Sequence, residues 1–198
     1  MNEQIKLLFK DFYFLLGTTY PILVGTLPDK ILEELQSFVV LCDQIKNHPL
    51  SFLKEHVNVG GNAYQVSLPT DLFENSFFMA FLIHYGEMYI HRTHKIPFEK
   101  LKRNIVIRKN TNHYDSYDAW LNYAYLGNEN PEHNHAGNLS GVVYIKNTTY
   151  EPTFFEDGVE FTGKVGDIIL FPSFYKHGVR TKKIANERIT LAFNLDKI

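Results

Sequence analysis

"PEHNHAGNLSGVVYIKN", Pro131 to Asn147, sets two histidines two positions apart at the mouth of an apolar run. The second half, Leu139 to Asn147, is short and rich in β-branched and aromatic residues, and it reads as a β-strand. In an extended segment residues i and i+2 point to the same side, so His133 and His135 can face one point in space. Taken alone, the pair is either a polar turn before a strand or the start of a metal site.

The flanking sequence extends the strand reading in both directions. From about Asn104, short runs alternate with turn residues: "NIVIRK", "AWLNYAYL", "LSGVVYIKN", "PTFF", "GVEFTG", "GDIILFPS", "GVRTKK" and "RITLAFNL". Turns at Asp157-Gly158 and Val165-Gly166-Asp167 separate them, the texture of a jelly roll or sandwich. Upstream, two helices are expected. In "TLPDKILEELQSFVVLCDQIK", Ile31, Leu35, Phe38, Val39 and Cys42 recur at helical spacing, which makes Cys42 a core thiol. In "TDLFENSFFMAFLIHYGEMYI", Asp71 and Glu74 resemble a capping box, and Phe73, Phe77, Ala80, Phe81, His84 and Met88 form one face. Helices followed by consecutive strands predict an α+β fold with N-terminal helices packed on one sheet. No repeat or linker divides the chain, so residues 1–198 read as a single domain: a front over 1–100 and a β-rich core over 101–198.

Composition excludes several function classes. Apolar residues make up 44% and aromatics 15%, which fits a packed core rather than disorder. Twenty basic and 22 acidic residues leave a net charge of −2, so neither nucleic acid nor an anionic membrane is an expected partner. Lys182-Lys183 reads as a solvated strand end. The single cysteine, Cys42, rules out an intrachain disulfide and leaves histidine and carboxylate as the natural metal ligands. Lys10 and Asp11 interrupt the aromatic N-terminal run, and no small-x-small cleavage site follows. A cytoplasmic protein is expected.

Nine histidines are present, and most read blandly. His84 lies on the apolar face of a helix, His91 and His94 at a helix end, and His113 in a polar loop. His177 differs, because it ends the strand of "GDIILFPSFYK" and makes a distant third to the close pair His133 and His135. A close pair plus a distant third is what facial coordination by three protein ligands needs. Further on, Arg188 and Thr190 share one strand face, opposite Ile189, Leu191 and Phe193. A guanidinium there is costly to bury without a carboxylate. Either Arg188 pairs with Glu187 or Asp167 at the surface, or it forms a bidentate clamp for a diacid with Thr190 adding a hydroxyl.

The stretch Ala119 to Asn194 resembles the iron(II)- and 2-oxoglutarate-dependent dioxygenases, specifically the small oxygenase branch related to prolyl hydroxylases. The matching pieces are "WLNYAYLGNENPEHNHAGNLSGVVYIKN", "GDIILFPSFYKHGV" and "ERITLAFN". More loosely, "YPILVGTLPDKILEELQ" looks like that branch's opening strand and helix. The resemblance implies a double-stranded β-helix, or jelly roll, with iron at its open end. It makes His133 the first ligand and His177 the distal one, with Arg188 holding the C5 carboxylate of 2-oxoglutarate. Thr190 and Tyr144 stand beside that carboxylate, and Asn122 is a further cosubstrate contact. The reaction implied consumes O₂ and 2-oxoglutarate, releases succinate and CO₂, and hydroxylates a protein side chain or small metabolite.

One departure matters. Relatives carry an acid two residues after the first histidine, whereas this chain has His135. Either three histidines hold the metal, or Glu132 or Asp115 supplies the carboxylate. Two rival readings follow: a three-histidine, cupin-like dioxygenase without 2-oxoglutarate, and a non-catalytic β-sandwich that binds a ligand or partner. Tyr123, Tyr125, Phe174 and Tyr175 are divided between core and mouth, and the pocket is expected to be built from the front helices and the loop Asn110 to Tyr117. The sequence sets neither the substrate nor an oligomeric state.

Overall fold

The computed structural model describes residues 12–46, 64–69, 73–74, 76–96, 105–109, 116–124, 129–147, 151–180 and 188–198. Along the chain run β1 (Phe12–Phe14), β2 (Leu23–Thr26), α1 (Asp29–Lys46), β3 (Tyr64–Pro69), α2 (Phe77–His94), β4 (Ile105–Ile107) and β5 (Ser116–Ala124). Then follow β6 (Glu129–His133), β7 (Leu139–Asn147), β8 (Thr153–Phe155), β9 (Glu160–Phe161), β10 (Asp167–Pro172), β11 (His177–Arg180) and β12 (Arg188–Lys197). Each of the eight runs read as strands contains one, and the front half adds β1, β2 and β3.

Among the described residues all strand pairings are antiparallel, and only β1–β2 and β8–β9 pair neighbours in the chain. The Asp-Gly turn closes the β8–β9 hairpin and the Val-Gly-Asp turn leads from β9 into β10, with Gly158 and Gly166 at φ of 83° and 90°, a region open mainly to glycine. The larger sheet has the order β1-β2-β10-β7-β12-β5-β3, with β4 on the far end of β12. The smaller has the order β6-β11-β8-β9.

Alternation along β7 and β12 assigns the two faces of the larger sheet. Leu139, Val143, Ile145, Ile189, Leu191, Phe193 and Leu195 join the apolar cluster that holds Ile31 and Leu35 of α1 and Phe78, Leu82 and Tyr85 of α2. On the opposite face, Val142 and Tyr144 pack with Ile169, Phe171 and the smaller sheet's Phe155. Arg188, Thr190 and Asn194 are buried on that second face, between the sheets.

Helix α1 buries the expected stripe, Ile31, Leu35, Val39 and Cys42, with Phe38 partly covered. Burial, with Asp43 adding, pushes the Cys42 thiol up to about 11, so it stays protonated at neutral pH. Helix α2 departs from expectation. Its N-cap is Ser76, whose hydroxyl accepts from Met79 N at 3.0 Å, while Asp71 lies outside the described residues. The carboxylate of Glu34 accepts from Phe77 N (3.2 Å) and Phe78 N (3.0 Å), placing an anion on the positive helix terminus. Glu74 precedes the helix and accepts from the Tyr117 hydroxyl instead. The buried face is Phe78, Phe81, Leu82, Tyr85, Met88 and Tyr89, and Phe77 is 79% exposed. Phe73 and Phe81 are core residues. In a segment this uniformly apolar, caps and partner surfaces set the phase, because periodicity barely distinguishes one face from the next. Among the described residues no helix is long and apolar enough to cross a membrane.

Candidate functional site

The site forms where the two sheets meet at the ends of β6, β10 and β11. The β6–β11 register sets His177 directly opposite His133. His135 lies two residues past β6, and its backbone N–H donates to Ser173 O (2.9 Å) in the turn after β10. The three rings converge: centroid separations are 4.8 Å for His133–His135, 4.7 Å for His133–His177 and 5.2 Å for His135–His177. One ligand atom from each lies within 4.8 Å of the others.

Hydrogen bonding decides which nitrogens are available. The Nδ1 of His133 lies 2.7 Å from Pro131 O and that of His177 3.1 Å from Tyr175 O. A carbonyl only accepts, so each Nδ1 carries the proton and each Nε2 presents a lone pair. The Nε2 atoms of His133 and His135 are 3.1 Å apart. Two nitrogens bound about 2.1 Å from one metal at a right angle would stand roughly 3.0 Å apart, so the spacing fits a shared ion. Burial pushes His177 down to about 3, with His133 and His135 adding to the shift. Burial, followed by His133, pushes His135 down to about 4. Both are therefore neutral at pH 7, as an imidazole ligand must be.

Phe171 and Phe155 wall in His177, at ring distances of 4.7 and 6.2 Å. No carboxylate joins the triad among the described residues: Glu132 is exposed, and Asp115 lies outside them. His91 and His94 are not part of such a cluster, and His91 Nδ1 is bonded to Ile96 O.

The second cluster lies deeper between the sheets. Arg188 is 3% exposed, and its Nε and Nη2 have no hydrogen-bond partner among the described residues. Burial lowers its pKa, while Tyr144 and then Glu151 favour the charged form. Its guanidinium lies 5.3 Å from the centroid of the Tyr144 ring, and the Tyr144 hydroxyl bonds Thr153 Oγ1 at 2.6 Å. Thr190 is opposite Tyr144 in the β7–β12 register and is 1% exposed. A register shift between Ile189 and Thr190 puts Asn147, rather than Lys146, opposite Arg188 and leaves Lys146 exposed. That spares the buried cation a like charge beside it. Asp167 closes its own turn by accepting from Lys164 N (2.7 Å), and Glu187 lies outside the described residues, so the surface ion pair weighed for Arg188 is not what its burial shows. Nε and Nη2 form the side-on edge of a guanidinium, the edge that takes a carboxylate bidentately.

Gly163 makes room for this cluster: a Cβ there would fall 2.4 Å from the Tyr144 ring. Gly163→Ala is expected to cost about 1–3 kcal/mol in denaturant unfolding, because the added methyl displaces the Tyr144 ring.

Asn122 lies opposite Thr190 in the β5–β12 register. Its Oδ1 accepts from Gln65 Nε2 (2.8 Å) and Trp120 Nε1 (3.1 Å), and the Trp120 ring packs 5.3 Å from that of His135. Tyr123 and Tyr175 are core residues, the Tyr175 hydroxyl donates to Asp157, and Phe174 is 56% exposed against Tyr20. Tyr125, His113, Lys182, Lys183 and positions 110–115 lie outside the described residues. Thr153 and Gln65 were not singled out from sequence. Gln65 and Ser67 alternate with buried Val66 and Leu68, a period-two signal that would have found β3. Nothing local marks Thr153, which matters only through its contact with Tyr144.

No family model matches the sequence, and no curated protein matches it. Solved structures do. A prolyl-4-hydroxylase from Pseudomonas putida superposes with a TM-score of 0.56 at 13% identity, over 91% of this chain and 94% of that one. HygX from Streptomyces hygroscopicus, with nickel, 2-oxoglutarate and hygromycin B bound, gives 0.57 at 12% identity, over 100% and 87%. An oxidoreductase of the 2OG-Fe(II) oxygenase family from Burkholderia pseudomallei gives 0.53 at 18% identity, over 87% and 85%. The chain has the fold of these oxygenases.

Proposed function

We propose that this chain, built on the fold of the 2-oxoglutarate-dependent oxygenases, is an iron(II)- and 2-oxoglutarate-dependent hydroxylase acting on a small molecule or a protein side chain. In this reading the two sheets form a double-stranded β-helix within a single domain, since β2 and β3 of the front half belong to the same sheet as β5, β7, β10 and β12. His133, His135 and His177 hold the metal through Nε2, and Arg188 holds the distal carboxylate of 2-oxoglutarate with Thr190 and Tyr144 beside it. When bound, iron and 2-oxoglutarate supply an oxidative decarboxylation that consumes O₂, releases succinate and CO₂, and hydroxylates the substrate.

The chain's own part is positional. Carbonyls of Pro131 and Tyr175 hold the His133 and His177 rings in the tautomer that leaves Nε2 free. Phe155 and Phe171 keep water from the buried side of His177. The observation that carries the reading is the buried edge of Arg188, two donors without a partner among the described residues, between the same two sheets that bring the imidazole triad together. Those donors call for an anion with two acceptor oxygens, and a diacid supplies one carboxylate for Arg188 and another for the metal.

The test is anaerobic. Protein loaded with iron(II) is expected to develop the weak visible charge-transfer band of chelated 2-oxoglutarate. Metal binding without any response to 2-oxoglutarate would overturn this reading in favour of a cupin-like three-histidine dioxygenase. That second reading is favoured by one feature, His135 standing where relatives carry an acid. Failure to bind either would leave a ligand-binding β-sandwich.

A further inference from the structure

His133 and His177 have their rings fixed by carbonyls, whereas His135 has no such Nδ1 partner among the described residues. Its backbone is nonetheless held firmly. The N–H donates to Ser173 O, and Ser173 is tied to a buried polar row across the larger sheet. Ser140 Oγ lies 2.9 Å from Ser173 Oγ and 2.6 Å from Asn194 Oδ1, and Asn194 Nδ2 donates to Asp118 Oδ2 at 2.8 Å. The Asn194 carbonyl only accepts, so the Ser140 proton goes there and Ser173 donates to Ser140. What this row leaves unset is the ring angle of His135.

Trp120 packs beside that ring. Its ring is 5.3 Å from the His135 ring at 47°, and it is held in turn. The indole N–H donates to Asn122 Oδ1, which also takes the Gln65 amide N–H, so strands β3 and β5 brace the indole from behind. Asn122 Oδ1 accepts both donors, which occupies its two lone pairs and makes it an anchor for Trp120.

We propose that Trp120, braced by Asn122 and Gln65, is a positioning residue for His135 as a metal ligand. This rests on the three-histidine reading of the site. An aromatic wall fixes the third imidazole by packing, where the other two are fixed by hydrogen bonds. Hydrogen-bonded outer partners commonly govern metal affinity by roughly 10- to 100-fold, and a packing contact that does the same positioning is expected at the lower end of that range.

The probe is cobalt(II) alone, added to metal-free protein, with affinity measured by chelator competition and geometry by the visible d–d band. Trp120→Ala is expected to weaken cobalt binding about tenfold or more and to alter the band. Trp120→Phe keeps a ring against His135 and should stay within about threefold of wild type, with Asn122→Val falling between. The decisive readout is the set of paramagnetically shifted imidazole signals of the cobalt protein: Trp120→Ala is expected to move or broaden the His135 signal while those of His133 and His177 keep their positions. An equal disturbance of all three signals, or wild-type affinity and band in Trp120→Ala, overturns the proposal. If Trp120→Ala does not fold, Asn122→Val carries the same comparison. Wild-type protein that ignores cobalt, or a His177→Ala variant that binds it normally, overturns the metal site itself, which is a distinct result.

Discussion

Replacing Arg188 by Met is expected to weaken 2-oxoglutarate binding by about thirtyfold or more while making the ligand-free protein more stable. The two effects share one cause. With Nε and Nη2 unpaired among the described residues and 3% of the residue exposed, the guanidinium has given up water without gaining a full set of acceptors from them. Exchanging buried ionic groups for apolar ones of similar volume often stabilises by about 1–4 kcal/mol. Against that, the cation over the Tyr144 ring contributes up to about 2 kcal/mol, and Met gives it up. The net expectation is a gain of roughly 1–2 kcal/mol in denaturant unfolding without ligand. Binding moves the other way. Removing one partner of a buried charge pair costs about 2–5 kcal/mol, a loss of thirtyfold to several thousandfold in diacid affinity. Metal binding should be unchanged, since Arg188 is not among the three clustered histidines. A ligand-free Arg188→Met protein clearly less stable than wild type would mean that the guanidinium is already satisfied and is no clamp.

The strands that carry this site were legible because their alternation is strong. Ile189, Leu191 and Phe193 mark one face of β12, and that leaves Arg188 and Thr190 on the other, as found. The expense of burying Arg188 was also readable, since it follows from charge alone. Its surroundings were not readable: Asp167 is spent on its own turn, and the register shift that turns Lys146 outward depends on pairing between distant strands. Convergence of His133 and His135 follows from i, i+2 geometry, but His177 arrives through the β6–β11 register, and β6, with Pro131 in it, carries no strand signature. Asn122 was placed on the correct face, yet its partners Gln65 and Trp120 make it an anchor. Helix α2 was found as an element and misphased as a surface, because Ser76 and Glu34 fix its start through contacts a run of aromatic residues does not announce.

Replacing His177 by Asn is expected to weaken metal binding severely and also to flatten the acid sensitivity of the metal-free protein. Two remaining imidazoles cannot cap one face of an ion, so affinity for iron(II) or cobalt(II) should fall by 100-fold or more, beyond the usual cost of disturbing an outer contact. The pH effect follows from burial. His177 is pushed down to about 3 and His135 to about 4, against an ordinary value near 6.5. Between those limits the unfolded chain binds protons that the folded chain refuses, so stability is highest above about pH 6.5 and falls as the pH drops toward 3. From His177 alone the loss by pH 4 is on the order of 3 kcal/mol. Asparagine does not titrate, so its unfolding midpoint should shift less than that of wild type between pH 7 and pH 4, with the remaining slope set by His135 and the carboxylates. Equal slopes in the two proteins would mean that His177 meets water or a compensating charge in the folded state, and its closed, neutral burial would then be wrong.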